Sequence, residues 1–291
     1  MSAIIFSSLF AILYTFLGYP VWLYFYAKLK KRSRIQCDYL NKKITVVMVA
    51  CNESAYIEKK IKNIFSFDYD PNSIRLIIVD DASTDGTLDI IADIKDERIV
   101  LIKNKSRLGK AAGINKAMEK ADTELVLFLD ARQEVTRNAL KDLSAWFNSN
   151  SYVAAVSGEL KFLKSKDGFV SGMDAYQKYE KFIRNAEAKV YSVPGVSGSI
   201  YMLRRDLFEE IPEDTILDDV LIPMNASKGG RWVGFDERVI AWDVPSDDMV
   251  REKRRKTRTL NGNYQLLFRN YSWLIPGVHP NWFPYFSHKF M

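Results

Sequence analysis

Residues 44–87 read ITVVMVACNESAYIEKKIKNIFSFDYDPNSIRLIIVDDASTDGT, and the fold follows from how this stretch alternates. Ile44 to Ala50 is a continuous apolar run of strand length that stops at the polar Cys51-Asn52-Glu53. Tyr56 to Phe67 then repeats its apolar residues at helical spacing. Leu76 to Val79 is a second buried strand, ending in Asp80 and Asp81. A strand without polar alternation must be covered on both faces, so this order predicts βαβ units with helices on either side of a sheet.

The pattern continues downstream. Thr84 or Ser83 is expected to cap a helix running through Ile94, Ile99 to Lys103 is a third strand, and Gly109 to Lys120 a third helix. Leu125 to Leu129 is a fourth strand closing on Asp130, and Thr136 is expected to cap a helix holding Ala139, Leu140, Leu143, Trp146 and Phe147. Less regular elements come next: a strand at Val153 to Leu160, a helix from Phe169 to Val190, a turn and strand from Gly195 to Leu203, and a short helix beyond Asp218. Two strands are expected near Trp232 to Phe235 and Val239 to Trp242, then a helix from about Met249 to Phe268. The fold class is α/β, with a mainly parallel sheet flanked by helices.

Upstream, Ala3 to Ala27 carries no charge and is rich in Ile, Leu, Phe, Tyr and Trp, long enough to cross a hydrocarbon core of roughly 30 Å. It reads as an N-terminal transmembrane helix, with Gly18 and Pro20 as a tolerated kink. The basic flank Lys28, Lys30, Lys31, Arg32 and Arg34 places the downstream chain in the cytoplasm by the positive-inside tendency. A cleaved signal peptide is the bland alternative, but no basic segment precedes the apolar run and no small-residue cleavage site comes after it.

Hydrophobic types make up 47% of the 291 residues and charged types 27%, so the chain can bury a full core. The formal charge of +6 is concentrated in two local runs, so a nucleic-acid partner is not expected. Two cysteines, Cys37 and Cys51, spell neither a disulfide framework nor a zinc site. The second basic run, Arg251, Arg254, Arg255 and Arg258, falls on one helix face with Leu260, Tyr264 and Leu267 opposite. Such a stripe calls for facing anions and suits diphosphate oxygens, or else it is a solvated or membrane-facing basic helix.

Ligands of open α/β sheets sit at the carboxyl ends of strands, where this chain gathers Asn52 and Glu53, the run from Asp80 to Thr87, and Asp130 with Arg132. Asp81 and Glu53 are placed to accept hydrogen bonds from a base or ribose, whereas Ser83 and Asp85 read more readily as helix caps. Asp130 emerges from the sheet centre where a diphosphate would lie, and a hard cation such as Mg²⁺ or Mn²⁺ is its expected partner. Nucleotidyl transfer and dinucleotide redox chemistry are disfavoured, because no glycine-rich phosphate loop follows the first strand.

Residues 44 to 270 resemble a family 2 glycosyltransferase of the GT-A fold, the superfamily of cellulose, chitin and hyaluronan synthases. The matching strings, in order, are VVMVACNESAYIEKKIKNI, IVDDASTDGT, GKAAGINKAM, FLDAR, GVSGSIYMLRRDLF and ILDDVLIP. The resemblance implies that Ala50, Asn52, Glu53 and Asp81 bind the nucleoside and that Lys110 lies near the donor. It further implies Asp130 as the first aspartate of the metal motif and Asp219, beside Asp218, as the catalytic base. Gly195, Gly198 and Ser199 form either an acceptor floor or a plain tight turn, and Asp218 is alternatively a helix cap.

Two departures stand out. The metal motif ends in Arg132 instead of an aspartate, so either Asp130 holds the cation alone with the diphosphate or Arg132 supplies part of its charge. Arg251-x-x-Arg254-Arg255 replaces the Gln-x-x-Arg-Trp of processive synthases. The resemblance thus implies a membrane-anchored transferase that takes a sugar from a nucleoside diphosphate, with UDP expected, to a glycan or lipid-linked acceptor. Arg132, Arg254, Arg255 and Arg258 are expected on the donor side, and a binding-only protein with a degenerate metal site is the alternative. The expected organisation is a transmembrane segment (1–30), a linker (31–43), the catalytic domain (44–270) and an aromatic, proline-rich, membrane-proximal tail (271–291). In related membrane enzymes further helices come after a segment like Ser287-His288-Lys289, and the same is expected beyond this tail.

Overall fold

The computed structural model describes residues 2–30, 41–148, 150–163, 171–244 and 249–290. Lys31, Arg32, Arg34, Cys37 and the expected helix start at Phe169 lie outside them, as does the side chain of Arg251. The chain opens with α1 (Ser2–Leu13) and α2 (Tyr19–Leu29), joined by a π-helical turn over Tyr14–Gly18. Ile5–Leu29 is one apolar helix of 25 residues, about 37 Å at 1.5 Å per residue, long enough to cross a membrane. Phe6, Phe10, Phe16, Leu17 and Phe25 point outward, while Tyr19 and Leu23 are buried against a later helix.

The central sheet forms as the apolar runs predict. β1 (Ile44–Ala50), α3 (Ile57–Phe65), β2 (Ile74–Asp80), α4 (Thr87–Asp93), β3 (Ile99–Lys103), α5 (Lys110–Lys120) and β4 (Leu125–Leu129) alternate as βα units. β3, β2, β1 and β4 lie side by side and parallel. After β5 (Glu134–Val135) and α6 (Ala139–Asn148) come β6 (Val153–Phe162), α7 (Ser171–Val190), β7 (Ile200–Arg204), α8 (Asp218–Ala226), β8 (Trp232–Asp243) and α9 (Met249–Arg269). β7 joins β4 and β6 antiparallel and β8 runs parallel to β6, so the sheet is mixed, in the order β3-β2-β1-β4-β7-β6-β8-β5.

β1 shows why a run with no polar alternation was needed. Ile44, Val46, Met48 and Ala50 face one core with Ile57, Ile61 and Ile64 of α3 and Leu143 and Trp146 of α6. Val47 faces the other with Ala111, Ile114 and Met118 of α5 and Ile222 and Met224 of α8. Each fully buried aliphatic side chain is worth about 1.5–3 kcal/mol.

Several expectations are corrected. The two strands near Trp232 and Val239 are one strand: Asp236 and Arg238 pair side chain to side chain at 2.6 Å, so the chain shifts register against β6 without leaving the sheet. Thr136 does not cap α6, because its hydroxyl accepts from the Ile240 amide and ties β8. α4 is capped by neither Ser83 nor Thr84; the Asp85 carboxylate accepts from the Thr87 amide behind a left-handed Gly86. On α9, where the sequence sets Leu260 and Tyr264 opposite the arginines, both are exposed, and the helix docks through Gly262 and the buried Leu266.

The tail packs into the domain. Trp273 and Tyr285 are buried in the second core, and His279, Asn281 and Ser287 are buried around a short helix, α10 (Trp282–Pro284), and a π-helical turn over Tyr285–Phe290. At Gly262 a Cβ would lie 2.5 Å from Leu217 Cγ and 2.9 Å from Ile216 Cγ2, in the loop entering α8. Gly262→Ala is therefore expected to destabilise the fold by about 1–3 kcal/mol, read as a lower thermal midpoint; an unchanged midpoint would show that α9 does not brace this loop.

Candidate active site

Register brings the strand ends together. Ala50 stands opposite Asp80, and Val47 opposite Phe128, so Asp130 leaves β4 beside the end of β1. Two non-glycine residues there adopt left-handed backbone, Asn52 (φ 57°) and Ala82 (φ 53°). Such conformations persist only where neighbours enforce them. The Asn52 amide donates to the Ser83 hydroxyl at 3.0 Å, its side-chain oxygen accepts from the Thr84 amide at 2.8 Å, and the Glu53 amide donates to the Thr87 hydroxyl at 2.8 Å. These bonds lock the loops after β1 and β2 into one rim.

Lys110, at the start of α5, is the centre of the site. Its Nζ lies 3.0 Å from Asp130 Oδ1 and 3.3 Å from Asp218 Oδ2, and a Cβ added to Gly198 would lie 3.7 Å from that Nζ and 3.5 Å from Asp219 Oδ2. Burial would push the Lys110 ammonium down, but the carboxylates of Asp130 and Asp218 outweigh it and hold its pKa above the usual lysine range. Asp218 is buried in the first turn of α8, while Asp219 is half-buried beside it. Burial first, then the Asp218 carboxylate, push the Asp219 carboxyl up to about 6, against the cations of Lys110, Lys289 and Arg184.

The architecture has known counterparts. A mannosyltransferase from Pyrobaculum calidifontis, solved in complex with GDP-Man and Mn²⁺, superposes with a TM-score of 0.74 at 24% identity, covering 89% of this chain and 74% of that one. Residues 1–349 of S. aureus TarS, in complex with UDP-GlcNAc, superpose with a TM-score of 0.51 at 17% identity, over 77% of this chain and 66% of that one. These likenesses show the GT-A type of fold. The family model described as Glycosyl transferase family 2 matches residues 45–212. This chain belongs to glycosyl transferase family 2. Poly-beta-1,6-N-acetyl-D-glucosamine synthase of Staphylococcus aureus is 21% identical over 278 residues, which are 92% of this chain and 66% of the relative. The Staphylococcus epidermidis protein of that name is 20% identical over 258 residues, 85% of this chain and 62% of its own. The chain thus spans just under two thirds of the length of these curated relatives.

At the strand ends the structure brings Lys110, Asp130, Asp218, Asp219 and Gly198 together and places Asn52 and Glu53 on the neighbouring rim. Ser199 is buried behind Gly198. Asp218 is not a helix cap, since Leu217 holds that position without a side-chain bond, and both aspartates sit where the helix dipole favours them. Arg132 does not approach Asp130: its Nε donates to both oxygens of Glu53 at 2.9 Å. The cation beside Asp130 is Lys110.

Asp81 is held by donors of the protein itself. Its Oδ1 accepts from Asn104 Nδ2 and the Leu108 amide, each at 2.8 Å, and its Oδ2 from the Gly109 amide at 2.9 Å. The donors an acidic strand end requires are thus the protein's own, and Asp81, only 2% exposed, holds the loop that delivers Lys110. Ala50 likewise commits its carbonyl to the Asp81 amide. The arginine stripe is divided. Arg254 and Arg258 line a basin with Lys253 and Ile216, whereas Arg255 turns to Glu252 at 3.0 Å.

For a metal, the described residues hold no group of three carboxylate, histidine or cysteine ligands. Asp130, 36% exposed with one oxygen on Lys110, fits a hard cation that takes its other ligands from phosphate and water.

Two residues here escaped the sequence reading. Tyr201 on β7 is fully buried, stacks on Phe128 at 4.6 Å, and its hydroxyl makes no hydrogen bond among the described residues. A strand tyrosine carries no signal of this. Lys60 is buried and donates to the Gln133 carbonyl at 2.6 Å beneath the Asp130 loop, where burial pushes it down to about 7 against the pull of Asp130. It shares the α3 stripe of Ile57, Ile61 and Ile64, and a lysine in an apolar stripe was the available clue.

A carboxyl raised in the folded state binds its proton there more tightly than when unfolded, so its contribution falls as pH rises between the two pKa values. Relative to the parent, Asp219→Asn should therefore gain stability from about pH 4 to about pH 6. Denaturant midpoints across that window test this; a constant difference would show an unshifted Asp219.

Proposed function

We propose that this chain transfers a sugar from a nucleoside-diphosphate donor, with UDP as the nucleoside diphosphate, to a hydroxyl of a glycan or lipid-linked acceptor at the cytoplasmic face of a membrane. The observation that carries this reading is the Lys110 ammonium set between Asp130 and Asp218 at the strand ends, with Asp219 reaching past Gly198. A half-buried cation ringed by carboxylates suits a site that receives charge and releases it.

In this reading the loops after β1 and β2 receive the nucleoside, with Asn52 and the Glu53–Arg132 pair on their rim. Lys110 meets the diphosphate and stabilises it as it departs. Asp130 would hold Mg²⁺ or Mn²⁺, whose chemistry is to neutralise phosphate oxygens. Asp219 takes the acceptor hydroxyl proton, and its raised pKa brings it nearer the working pH of a general base. Gly198 and Ser199 floor the acceptor side, where a Cβ at 198 would lie in contact with Asp219 Oδ2 and Lys110 Nζ. Arg254 and Arg258 extend positive charge along the loop that leads into Asp218.

The solved neighbours carry GDP-Man or UDP-GlcNAc, and the curated relatives are named for a poly-N-acetylglucosamine product, which supports this donor class. The outward-facing apolar residues of Ile5–Leu29 support an anchor, and the basic flank beginning at Lys28 supports a cytoplasmic catalytic domain.

The test is mass spectrometry of products formed by the full chain from a panel of nucleotide sugars, with and without Mn²⁺. Asp219→Asn is expected to lower kcat by about 10²–10⁴, and Asp130→Asn to remove the response to metal. Transfer at the parent rate by both variants, unaffected by a chelator, would overturn the reading.

A further inference from the structure

A polar cluster away from Lys110 joins the N-terminal helix, α7 and the tail. His288 Nδ1 lies 3.0 Å from Glu187 Oε1, and its Nε2 lies 3.0 Å from Glu180 Oε2. Burial would push the His288 imidazole down, but the Glu187 carboxylate and the hydrogen bonds to Glu180 and Glu187 outweigh it and raise its pKa above the ordinary histidine value. Glu187, fully buried, also accepts from the Tyr19 hydroxyl at 2.7 Å. Glu180 takes a second bond from Arg184 at 2.9 Å, and Tyr14 meets the Ser287 hydroxyl at 2.7 Å. One buried and one half-buried carboxylate around one imidazole, with Glu187 tied through Tyr19 and Ser287 tied through Tyr14 to a helix of membrane-spanning length, are costly to assemble and strongly directional.

The residue after His288 reaches the catalytic side. Lys289 Cε would lie 3.4 Å from a Cβ on Gly195, and Asp219 O 3.6 Å from the same point. The Val196 amide donates to that Asp219 carbonyl at 2.9 Å, so the turn against which Lys289 packs is bonded directly to the proposed base. No ion pair claims the Lys289 ammonium among the described residues.

We propose that His288 is a positioning residue: clamped between Glu187 and Glu180 and joined through Tyr19 to the N-terminal apolar helix, it fixes Lys289 against the Gly195 turn and so sets the acceptor side of Asp219. The clamp makes the apolar helix part of the catalytic frame as well as an anchor. This inference rests on Asp219 being the base. The charged groups facing Asp219 are Asp218 on its own helix, Lys110 of α5, Arg184 of α7 and Lys289, and removing a cation raises a neighbouring carboxyl.

Steady-state kinetics of the full chain in detergent, against donor and acceptor from pH 5 to 9, test the clamp. His288→Gln is expected to lower kcat about tenfold with donor KM within about twofold of the parent. Tyr19→Phe, which removes one hydroxyl and no packing, should give a smaller loss of the same kind and carries the test if His288→Gln does not fold. Lys289→Met should move the acid limb of kcat/KM to higher pH, and Lys289→Arg should restore it. Parent-like kcat in the folded clamp variants, or an unmoved limb in Lys289→Met, overturns the inference. Those results beside an inactive Asp219→Asn would sink the clamp alone, whereas an active Asp219→Asn would sink the base assignment first.

Discussion

The site depends on an ammonium surrounded by acids. Lys110 cannot remain half-buried at the sheet edge without the carboxylates of Asp130 and Asp218, and those carboxylates cannot crowd there without Lys110. The fold supplies this balance from three separate elements, α5, the end of β4 and the start of α8. Asp81 contributes indirectly, by committing its carboxylate to the loop whose last residue precedes Lys110. An anionic substrate entering such a site exchanges one set of negative partners for another, so the protein bears the cost of gathering charge before binding.

The arginine two residues after Asp130 is explained by the same balance of charge. A cation at that position would repel a metal held by Asp130, but Glu53 neutralises it across the mouth of the site. The pair also joins the loop after β1 to the loop after β4, complementing the bonds of Asn52 and Glu53 to the loop after β2. The consequence is a rim whose acidic and basic side chains are largely committed to one another, with Asp130 and Lys110 left at its centre.

The tail and the apolar helix extend this logic beyond Lys110 and its carboxylates. Trp273 and Tyr285 enter the core that backs α5 and α8, and Tyr19 and Leu23 pack on Ile183 and Ala186 of α7. An element of membrane-spanning length is thus braced against the helix that carries Arg184 and Glu187, close to Asp219.

The sequence by itself determined whatever local periodicity and strand-end chemistry encode. The β1 to β4 runs, the apolar N-terminal helix, the family motifs and the carboxylates at strand ends were all legible, because buried strands and amphipathic helices leave a pattern within a few residues. Tertiary structure alone decided which charge meets which. Lys110 reaches Asp130 across 20 residues, Arg132 reaches Glu53 across 79, and His288 reaches Glu187 across 101. Those pairings are set by sheet register and helix docking, and no spacing in the chain records them. For the same reason the bonds from Asp81 to the loop before Lys110 were not legible, and a proline-rich tail that breaks every regular pattern proved to be part of the core.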